Sequence, residues 1–556
     1  MKRISVFFVV AALVCGMVGC EGEGEPMYEV VMAVNPAGGG TAIDLTDASP
    51  YPGGTVVRIQ AEAAVGYEFS HWSAASAGGE DRSLLLEPGN SLESSIELPL
   101  DEPAQTIIIT ANFVVVYDLT ITSTAGGNVT APGEGTFTYD ANTVVSLNAA
   151  PDSGYHFGKW TGDVSAIADV NAATTYITMN SDYSITANFA LGIPLWDWND
   201  LDAIRDNLGR NYTLMNDLDS TTVGYEELAS PTANEGKGWQ PIGTVGIPIE
   251  SPYDFLGLTG TLDGQGYEIF DLFINRPDEN SVGLFGAVNI EGVIKDIGVV
   301  NATVIGELCV GSLVAGNAGS ITTCYAAGTV SGDAGAGGLV GVNFFGNMSN
   351  SYATGSVTGE DYIGGLVGYN HAGTVSNSYA TGSVTGIEGI GGLVGVSLEV
   401  SMAAVSNSYS TGSVTGLYWV GGLVGWNDCH VSNSYSTGNV IAEYAVGGLV
   451  GWFAAGTVSK AYSTGSVTGS TFVGGLVGYR GTAAVYDSFW DTETSGQATS
   501  AGGIGKTTSE MQYIDTFSGV TWNIIAVINP STRNPSYIWN IVDYETYPFL
   551  SWEPVS

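Results

Sequence analysis

The chain has few positive charges and few cysteines. Its 556 residues include 14 Lys and Arg against 56 Asp and Glu, which gives a formal net charge of −42. This balance argues against nucleic acid as a partner, because a polyanion binds where Lys and Arg release its counterions. Beyond residue 20 the only cysteines are Cys309, Cys324 and Cys429, so a disulfide framework does not hold the fold. Cys309 and Cys324 either pair with each other or remain buried single thiols.

The signatures of common catalytic sites are also missing. None of the four histidines lies in ligand spacing, and the His-Glu-x-x-His motif of zinc peptidases is absent. There is no Gly-x-Ser-x-Gly elbow, no phosphate-binding loop and no cysteine cluster. We therefore expect no enzyme activity, no metal and no cofactor. Asp491 and Glu493 could form a glycosidase pair on one side of a strand, but their position favours a role in closing the repeat domain.

The first 19 residues have the pattern of a secretory signal peptide. Two basic residues precede an apolar stretch over 4–14, and small residues lead to Cys20. Met17-Val18-Gly19-Cys20 resembles the lipobox of bacterial lipoproteins, which implies cleavage before Cys20, lipid on its thiol and an acidic tether over 20–27. The alternative is an ordinary cleaved signal with a free Cys20. No later segment is apolar for about 18 residues, so we expect membrane attachment through the Cys20 lipid, at the outer membrane or cell surface.

Residues 28–190 contain a duplicated pattern. Gly66-Tyr-Glu-Phe-Ser-His-Trp72 with Thr110-Ala-Asn-Phe113 reappears as Gly154-Tyr-His-Phe-Gly-Lys-Trp160 with Thr186-Ala-Asn-Phe189. Alternating apolar and polar stretches surround both copies and predict two small β domains, 28–115 and 116–190. The two tryptophans either close the cores or stack on carbohydrate. The pattern resembles the divergent InlB B-type repeat, a β-grasp-like module of bacterial surface proteins, which implies spacing and display.

A repeat of about 27 residues dominates the remaining sequence. Its leucines are Leu284, Leu313, Leu339, Leu366, Leu393, Leu423, Leu449 and Leu476. A fixed period of this length predicts stacked coils, here a parallel β-solenoid of eight coils with three strands each and with equivalent residues above one another. The fold class is therefore all-β, with the solenoid over 281–490. We expect an N-terminal cap with the first solenoid strands over 191–280, including a short amphipathic helix over 199–208, and a C-terminal cap over 491–556.

These repeats resemble the GLUG motif of bacterial secreted and surface proteins. The sequences on which this resemblance rests are Gly-Gly-Leu-Val-Gly and Val-Ser-Asn-Ser-Tyr, followed by Gly-Ser-Val-Thr-Gly. The family includes adhesins and regions attached to immunoglobulin-cleaving metallopeptidases. The resemblance therefore implies a secreted or surface location without assigning a chemistry.

One column of the repeat is a candidate binding surface. Three positions after the repeat leucine stand Tyr369, Val396, Trp426, Trp452 and Tyr479. An outward column would form a flat strip for stacking on sugar rings or docking a partner, whereas an inward column would be core. Residue parity does not settle the face, because both Leu and Val of Gly-Gly-Leu-Val-Gly are apolar, and we expect inward or inter-domain burial. A second column, Asn350, Asn377, Asn407 and Asn433, predicts amides stacked along the coil axis.

These patterns together predict a bacterial surface lipoprotein whose two β modules raise a capped solenoid away from the membrane. We expect adhesion or surface interaction, with a host or environmental protein or polysaccharide as ligand. The alternative is a carbohydrate-binding or carbohydrate-cleaving protein that uses an aromatic and acidic face of the solenoid.

Overall fold

The computed structural model describes residues 25–554 except 101, 153, 247–253 and 400–402. The predicted signal peptide and Cys20 lie outside the described residues, as does most of the predicted tether. The described chain is all-β and divides into two compact units near residue 190. Within these ranges every helix is too short or too polar to span a lipid bilayer.

The first unit consists of two β modules that share one long strand, Thr106–Ser123. Its first half pairs in parallel with Met27–Asn35 and antiparallel with Tyr67–Ser76. Its second half pairs antiparallel with Gly135–Asp140 and in parallel with Tyr183–Leu191. The other strands of the unit are Gly40–Asp44, Tyr51–Pro52, Val56–Ala63, Leu86–Glu87, Glu93–Glu97, Gly127–Ala131, Val144–Pro151, Tyr155–Gly162 and Thr174–Thr178, and its 3-10 turns are Ser83–Leu85 and Val164–Ala166.

Each module closes its core with the aromatic residues of the duplicated pattern. Trp72 and Trp160 are 2% and 1% exposed, and each lies within 6 Å of the phenylalanine three residues earlier in its strand. A tryptophan this deeply covered has no face free for a ligand. The core interpretation of the two tryptophans is therefore confirmed.

The second unit is the parallel β-solenoid. Its strands stack from coil to coil in three parallel sheets, as the repeat predicts. The first sheet contains Ile193–Leu195, Tyr212–Leu214, Thr261–Asp263, Val293–Lys295, Ser320–Thr322, Asn347–Ser349, Thr374–Ser376, Ala404–Ser406, His430–Ser432, Thr457–Ser459 and Ala484–Tyr486. The second, with one strand for each of eight coils among the described residues, contains Phe285–Val288, Val314–Asn317, Val340–Phe344, Val367–His371, Val394–Leu398, Val424–Asn427, Val450–Phe453 and Val477–Arg480.

The third sheet is divided into shorter segments than the repeat pattern suggests. Its strands are Glu268–Phe270, Phe273–Asn275, Gly298–Ile305, Leu308–Gly311, Tyr325–Gly337, Tyr352–Ala353, Val357–Gly364, Tyr379–Ala380, Val384–Thr385, Glu388–Gly391, Tyr409–Ser410, Val414–Thr415, Tyr418–Gly421, Tyr435–Ser436, Val440–Ile441, Tyr444–Gly447, Tyr462–Ser463, Val467–Thr468, Thr471–Gly474, Phe489–Asp491 and Ile504–Lys506. A typical coil thus has five short strands where three were predicted. Gly-Gly-Leu-Val-Gly is the corner between the third and second sheets, with its leucine outside either strand.

Equivalent side chains lie directly above one another. The repeat leucines have no exposed surface and form the interior with the valines that follow them. Neighbouring rings in the tyrosine column from Tyr325 to Tyr462 lie 4.7 to 5.0 Å apart and within 5° of parallel. This separation equals the spacing of adjacent strands, so the ladder follows from the parallel register. The predicted stacking is therefore confirmed.

A ladder of buried amides runs along the second sheet. Asn317 donates from Nδ2 to Oδ1 of Asn343 at 2.8 Å, and Asn343 donates in the same way to Asn370 at 2.8 Å. In the predicted asparagine column, Asn377 donates to Asn350 at 3.3 Å. The residues of that column have positive φ, so their main role is to form a left-handed corner, which asparagine tolerates.

Non-repeating segments cover the two ends of the solenoid. The predicted first helix is Trp198–Asp202, continued by a 3-10 turn at Ala203–Asp206, and it buries Trp198, Leu201 and Ile204. The other short helices near this end are Tyr225–Leu228 and Ala233–Gly236, and a hairpin pairs Thr244–Val245 with Phe255–Leu256.

The C-terminal segment does more than end the stack. Its helices are Thr492–Ser495, Thr508–Met511, Asp515–Ser518 and the 3-10 turn Pro530–Thr532, and its small sheet contains Ile524–Ala526, Trp539–Ile541 and Phe549–Leu550. Aromatic residues of this segment pack on Tyr409, Tyr435 and Tyr462, so it also covers the side of the tyrosine ladder.

Candidate functional site

The aromatic column lies outside the solenoid interior. Leu423 and Val424 belong to the interior cluster, whereas Trp426, two residues further on, is half-buried and outside it. Tyr369 packs against a separate cluster on the outer side, and Trp452 and Tyr479 are also half-buried. The structure thus places the column on the outer surface of the second sheet with part of each ring open, which is the outward alternative.

A second aromatic column lies beside the first and was missed by sequence reasoning. The residues four positions before the repeat leucines are Cys309, Gly335, Tyr362, Gly389, Trp419, Ala445 and Phe472, and all have φ between 53° and 69°. Glycine adopts this left-handed conformation without penalty, whereas an L side chain costs roughly 1–2 kcal/mol there. Alternation of glycine with large aromatic residues at one repeat position was the available sequence signal.

The two columns together form one surface, which we call the aromatic face: Tyr362, Tyr369, Trp419, Trp426, Trp452, Phe472 and Tyr479. The Trp419 ring lies 5.0 Å from Trp426 and 5.9 Å from Trp452. The rings of Trp452 and Tyr479 stack at 4.1 Å. These are normal separations for packed aromatic rings, so the last three coils present a continuous aromatic surface.

An apolar groove lies next to this surface, over the middle coils. It encloses about 380 Å³, and its walls include Val342, Tyr362, Tyr369, Val396 and Trp426. Val396 occupies the same register position as Tyr369 and Trp426 in the neighbouring coils, but its side chain is much smaller. The groove extends from this interruption to the coils of Cys309 and Val342, which also lack rings at the two register positions.

Upstream, the chain covers the same face of the second sheet with its own hairpin. Gly316 has no side chain because an added Cβ would lie 2.3 Å from Val245 Cγ2 and 2.6 Å from Phe255 Cε1. The Phe255 ring in turn stacks on Phe344 at 6.0 Å. The aromatic face begins beyond this self-covered part.

Carboxylates flank the groove on both sides. Asp361 and Glu388 are cross-strand partners beside Tyr362, and burial together with Asp361 raises the pKa of Glu388. On the other side Asp428 accepts a hydrogen bond from Trp426 Nε1 at 3.0 Å, and burial raises the pKa of Asp428. Of the ion pairs formed by the part of the chain that the structure describes, none includes these carboxylates. The groove is therefore a site of negative potential.

The other candidates have structural roles. Asp491 has no exposed surface, and its Oδ2 accepts hydrogen bonds from the hydroxyls of Thr508 and Tyr547 at 2.7 Å each. Its Oδ1 accepts from the backbone N–H of Glu493 at 2.8 Å as the cap of the helix Thr492–Ser495. These bonds occupy the carboxylate, so the closing role of Asp491 fits better than a glycosidase pair. No group of three or more His, Cys, Asp or Glu side chains within the described ranges could hold a metal ion.

The three cysteines of the solenoid are free and buried, which is the unpaired alternative. Burial raises the pKa of each thiol to about 12. Thiolate is the reactive form, so these thiols are not nucleophiles at neutral pH.

The matches to family models agree with both resemblances. Residues 30–115 and 117–192 match the divergent InlB B-repeat domain, and residues 332–358, 359–385 and 417–441 match the GLUG motif. The chain thus contains both kinds of repeat.

Among the proteins similar to this chain are two sequence relatives and one solved structure. Halomucin of Haloquadratum walsbyi is 36% identical over 148 residues, which are 26% of this chain and 2% of halomucin. A protein described as a Gly-rich membrane protein of Evansella cellulosilytica is 32% identical over 126 residues, 22% of this chain and 13% of that protein. This chain therefore spans a small part of these relatives. A crystal structure of a candidate immunoglobulin A1 protease from Bacteroides ovatus is 17% identical, with a TM-score of 0.33, and the match covers 66% of this chain and 93% of that one.

Proposed function

We propose that this protein is a non-catalytic, lipid-anchored protein of the bacterial cell surface that recognises an external ligand through the aromatic face of its solenoid. The observation that carries the proposal is the set of partly open rings at a left-handed backbone position. Tyr362, Trp419 and Phe472 keep aromatic side chains at positive φ, where Gly335 and Gly389 avoid the cost and Cys309 and Ala445 carry small side chains. The rings remain half-open to solvent or exposed, so interior packing does not account for them.

The similarity to halomucin and to a membrane protein supports a surface location. The absence of a catalytic constellation from the sequence supports a binding role, and the two InlB B-type modules lie in the chain between the lipobox and the solenoid.

The lipid anchor predicts a specific effect of one cysteine. In a bacterial host, Cys20→Ala should abolish incorporation of radiolabelled palmitate and release the protein from the membrane fraction, because the thiol that carries the lipid is gone. Cys15→Ala is the matched control and should leave both unchanged, since it lies within the signal. Palmitate labelling that survives Cys20→Ala would show that the anchor assignment is wrong.

Ligand recognition predicts that the aromatic face decides binding. We expect residues 27–556 to bind saturably to members of an array of glycans and extracellular proteins. The double variant Trp426→Ala/Trp452→Ala should weaken this binding at least about tenfold, because each lost ring removes roughly 0.5–1.5 kcal/mol of stacking beyond its area. Tyr176→Ala, an exposed aromatic residue of the second module, is the control. A double variant that stays folded by circular dichroism and binds like the wild type would overturn the proposal.

A further inference from the structure

The C-terminal segment covers the tyrosine ladder with a row of tryptophans. Each of two indoles lies 5.9 to 6.4 Å from two consecutive rungs, Trp539 from Tyr462 and Tyr435, and Trp552 from Tyr409 and Tyr379. Both tryptophans pack in the cluster that joins the segment to the ladder. The chain thus places one indole against each pair of neighbouring tyrosines, beginning at the downstream end.

A third tryptophan shows which side of the ladder such an indole uses. The Trp522 ring lies 6.4 Å from Tyr462 and 6.1 Å from Phe489. Its Nε1 donates a hydrogen bond to the carbonyl oxygen of Asp487 at 2.7 Å. Asp487 belongs to the column of left-handed corner residues that lie two positions before each rung. The indole therefore packs on the ladder and bonds to the adjacent corner column.

The pair of rungs at the upstream end has no tryptophan against it among the described residues. Tyr325 and Tyr352 are half-buried, and their rings stack at 4.8 Å within 3° of parallel. Within the described ranges, the aromatic rings that contact this pair are the two rings themselves and Tyr379, the next rung. Of the three tyrosine pairs in the ladder, this one alone lacks an indole in that part of the chain.

A cavity lies against this uncovered pair. It encloses about 590 Å³, and both tyrosines line it together with three residues of the corner column, Asp296, Thr323 and Asn350. Ligand sites in proteins typically have volumes of roughly 300–1,000 Å³. The cavity thus combines a tyrosine pair with the corner column, which is the setting that Trp522 occupies downstream.

The two rings are held in position without a ligand. The hydroxyl of Tyr325 donates a hydrogen bond to the carboxylate of Glu268. The Tyr325 ring lies over Gly298, where an added Cβ would be 2.4 Å from Tyr325 Cζ. The other ring, Tyr352, is stacked between Tyr325 and Tyr379. A site whose walls are already ordered loses little conformational entropy when it binds.

The open parts of the two tyrosines favour an aromatic ligand over a sugar. Their faces are covered by neighbouring rungs and by Gly298, so the ring edges are what the cavity receives. Ring edges carry positive partial charge and attract the face of another aromatic ring. A sugar would need an open face on which to stack. At the rim, Thr323, Asn350 and Asp296 offer oxygen atoms that can accept a hydrogen bond from an indole N–H.

The charge near the cavity disfavours an anionic ligand. Asp296 lines the cavity and Glu268 holds one of its tyrosines. Lys295 pairs with Asp263 at 2.6 Å and reaches Asp296 only at 3.8 Å. Like charges repel most strongly where water is partly excluded, so the residues around a bound indole should be neutral or basic.

We propose that the upstream end of the tyrosine ladder, at Tyr325 and Tyr352, is a docking site for a tryptophan side chain of a neutral or basic partner polypeptide. The incoming indole continues the row that Trp539 and Trp552 form downstream. This site is separate from the aromatic face, so the inference goes beyond the proposed function.

The test uses residues 27–556 and the capped peptide Lys-Gly-Trp-Gly-Lys with 5-fluorotryptophan, followed by fluorine NMR. We expect saturable broadening of the fluorine signal, because the indole becomes immobilised on the ladder. The unlabelled peptide should reverse the broadening, and the same peptide with leucine in place of tryptophan should compete at least tenfold less well. Equal competition by the leucine peptide would mean that the lysines or general hydrophobicity cause the binding, and the inference would be wrong.

Two variants test the cavity itself. Thr323→Phe should fill the cavity and weaken peptide binding at least tenfold while the thermal unfolding temperature is kept. Thr323 is exposed and already left-handed, and Phe345 has a similar φ elsewhere in the chain. Tyr352→Ala removes one of the two rings and should weaken binding by a similar factor. Tyr486→Ala, which removes an exposed ring on the first sheet, is the control and should bind normally.

The outcomes separate this inference from the proposed function. If folded Thr323→Phe binds the tryptophan peptide like the wild type, the ladder end is not the site. If array ligands bind through Trp426 and Trp452 but the tryptophan peptide does not bind, the aromatic face stands and this inference is wrong. If peptide binding is lost in Trp426→Ala/Trp452→Ala and kept in Thr323→Phe, the peptide uses the aromatic face, which also contradicts the inference.

Discussion

Gly382→Ala should destabilise the solenoid by about 4 kcal/mol or more, the largest effect we expect from adding one methyl group. A Cβ at Gly382 would lie 1.8 Å from the carbonyl oxygen and 2.5 Å from the carbonyl carbon of Gly355 in the preceding coil. Both atoms belong to the backbone, so the contact cannot be relieved by moving a side chain. The two coils must separate locally, which breaks hydrogen bonds on both sides of the corner.

The same corner recurs along the stack, so the effect is a property of the architecture. Gly355, Gly412, Gly438 and Gly465 would each place a Cβ within 2.0 Å of a backbone oxygen in the preceding coil. These positions require glycine because the backbones of adjacent coils approach closely. A left-handed conformation is not the reason, since none of these positions has positive φ. A local break should therefore spread to the neighbouring coils, because a repeat array is stabilised by nearest-neighbour contacts.

Gly335→Ala provides the matched control. Its φ of 66° is left-handed, but the nearest atom to an added Cβ is Val342 Cγ2 at 3.3 Å, and Ala445 occupies the same repeat position. Urea unfolding followed by circular dichroism should show that the free energy of unfolding falls by about 4 kcal/mol or more for Gly382→Ala and by about 1–2 kcal/mol for Gly335→Ala. Equal losses from the two variants would contradict the close-approach argument.

The period of the sequence was sufficient to predict the coils but not which face each apolar residue occupies. The spacing of the leucines and tyrosines fixed the stacking, because equivalent residues in parallel coils must lie at one strand spacing from each other. Leu423 and Val424 are adjacent and both interior, while Trp426 is not. Strict alternation therefore fails at the glycine-rich corner, and a period-2 reading could not place the aromatic column.

The repeat pattern also did not predict the number of strands per coil. Gly382 and Gly386 lie between the short segments of the third sheet, and at each of them an added Cβ would meet neighbouring atoms within 3.0 Å. The aromatic face depends on the register between coils. Tyr369, Val396 and Trp426 lie far apart in the sequence and come together only because the parallel pairing aligns them.

The C-terminal segment could not be placed from sequence because it does not repeat. It was expected to close the end of the stack, and the strand Ile504–Lys506 does pair with Phe489–Asp491. Beyond that strand the chain turns along the side of the tyrosine ladder. Its aromatic residues, which have no counterpart in the repeat, were the signal for a second buried surface.

Trp539→Ala should detach this segment and leave the coils intact. Trp539 has no exposed surface, and its ring lies 4.7 Å from Trp522, 6.1 Å from Tyr435 and 5.9 Å from Tyr462. Removing such a ring costs about 3–5 kcal/mol of stability. This is a large share of the packing free energy that can hold a short segment with small strands on the solenoid. Limited proteolysis with mass spectrometry should then show cleavage at sites within the segment that follows residue 507. A hydrophobic dye should bind the uncovered tyrosines.

The controls distinguish loss of the cover from general unfolding. Tyr544→Ala removes a ring that is 67% exposed in the same segment and should leave the protease pattern unchanged. Trp539→Phe keeps most of the packing, and it removes an indole N–H that has no hydrogen-bond partner among the described residues, so its cost should be smaller than that of Trp539→Ala. If Trp539→Ala instead makes the coils over 281–490 cleavable at the same protease concentration, the segment is an integral part of the solenoid. The tyrosine ladder would then depend on its cover, because stacked rings that lose it expose a long apolar edge to water.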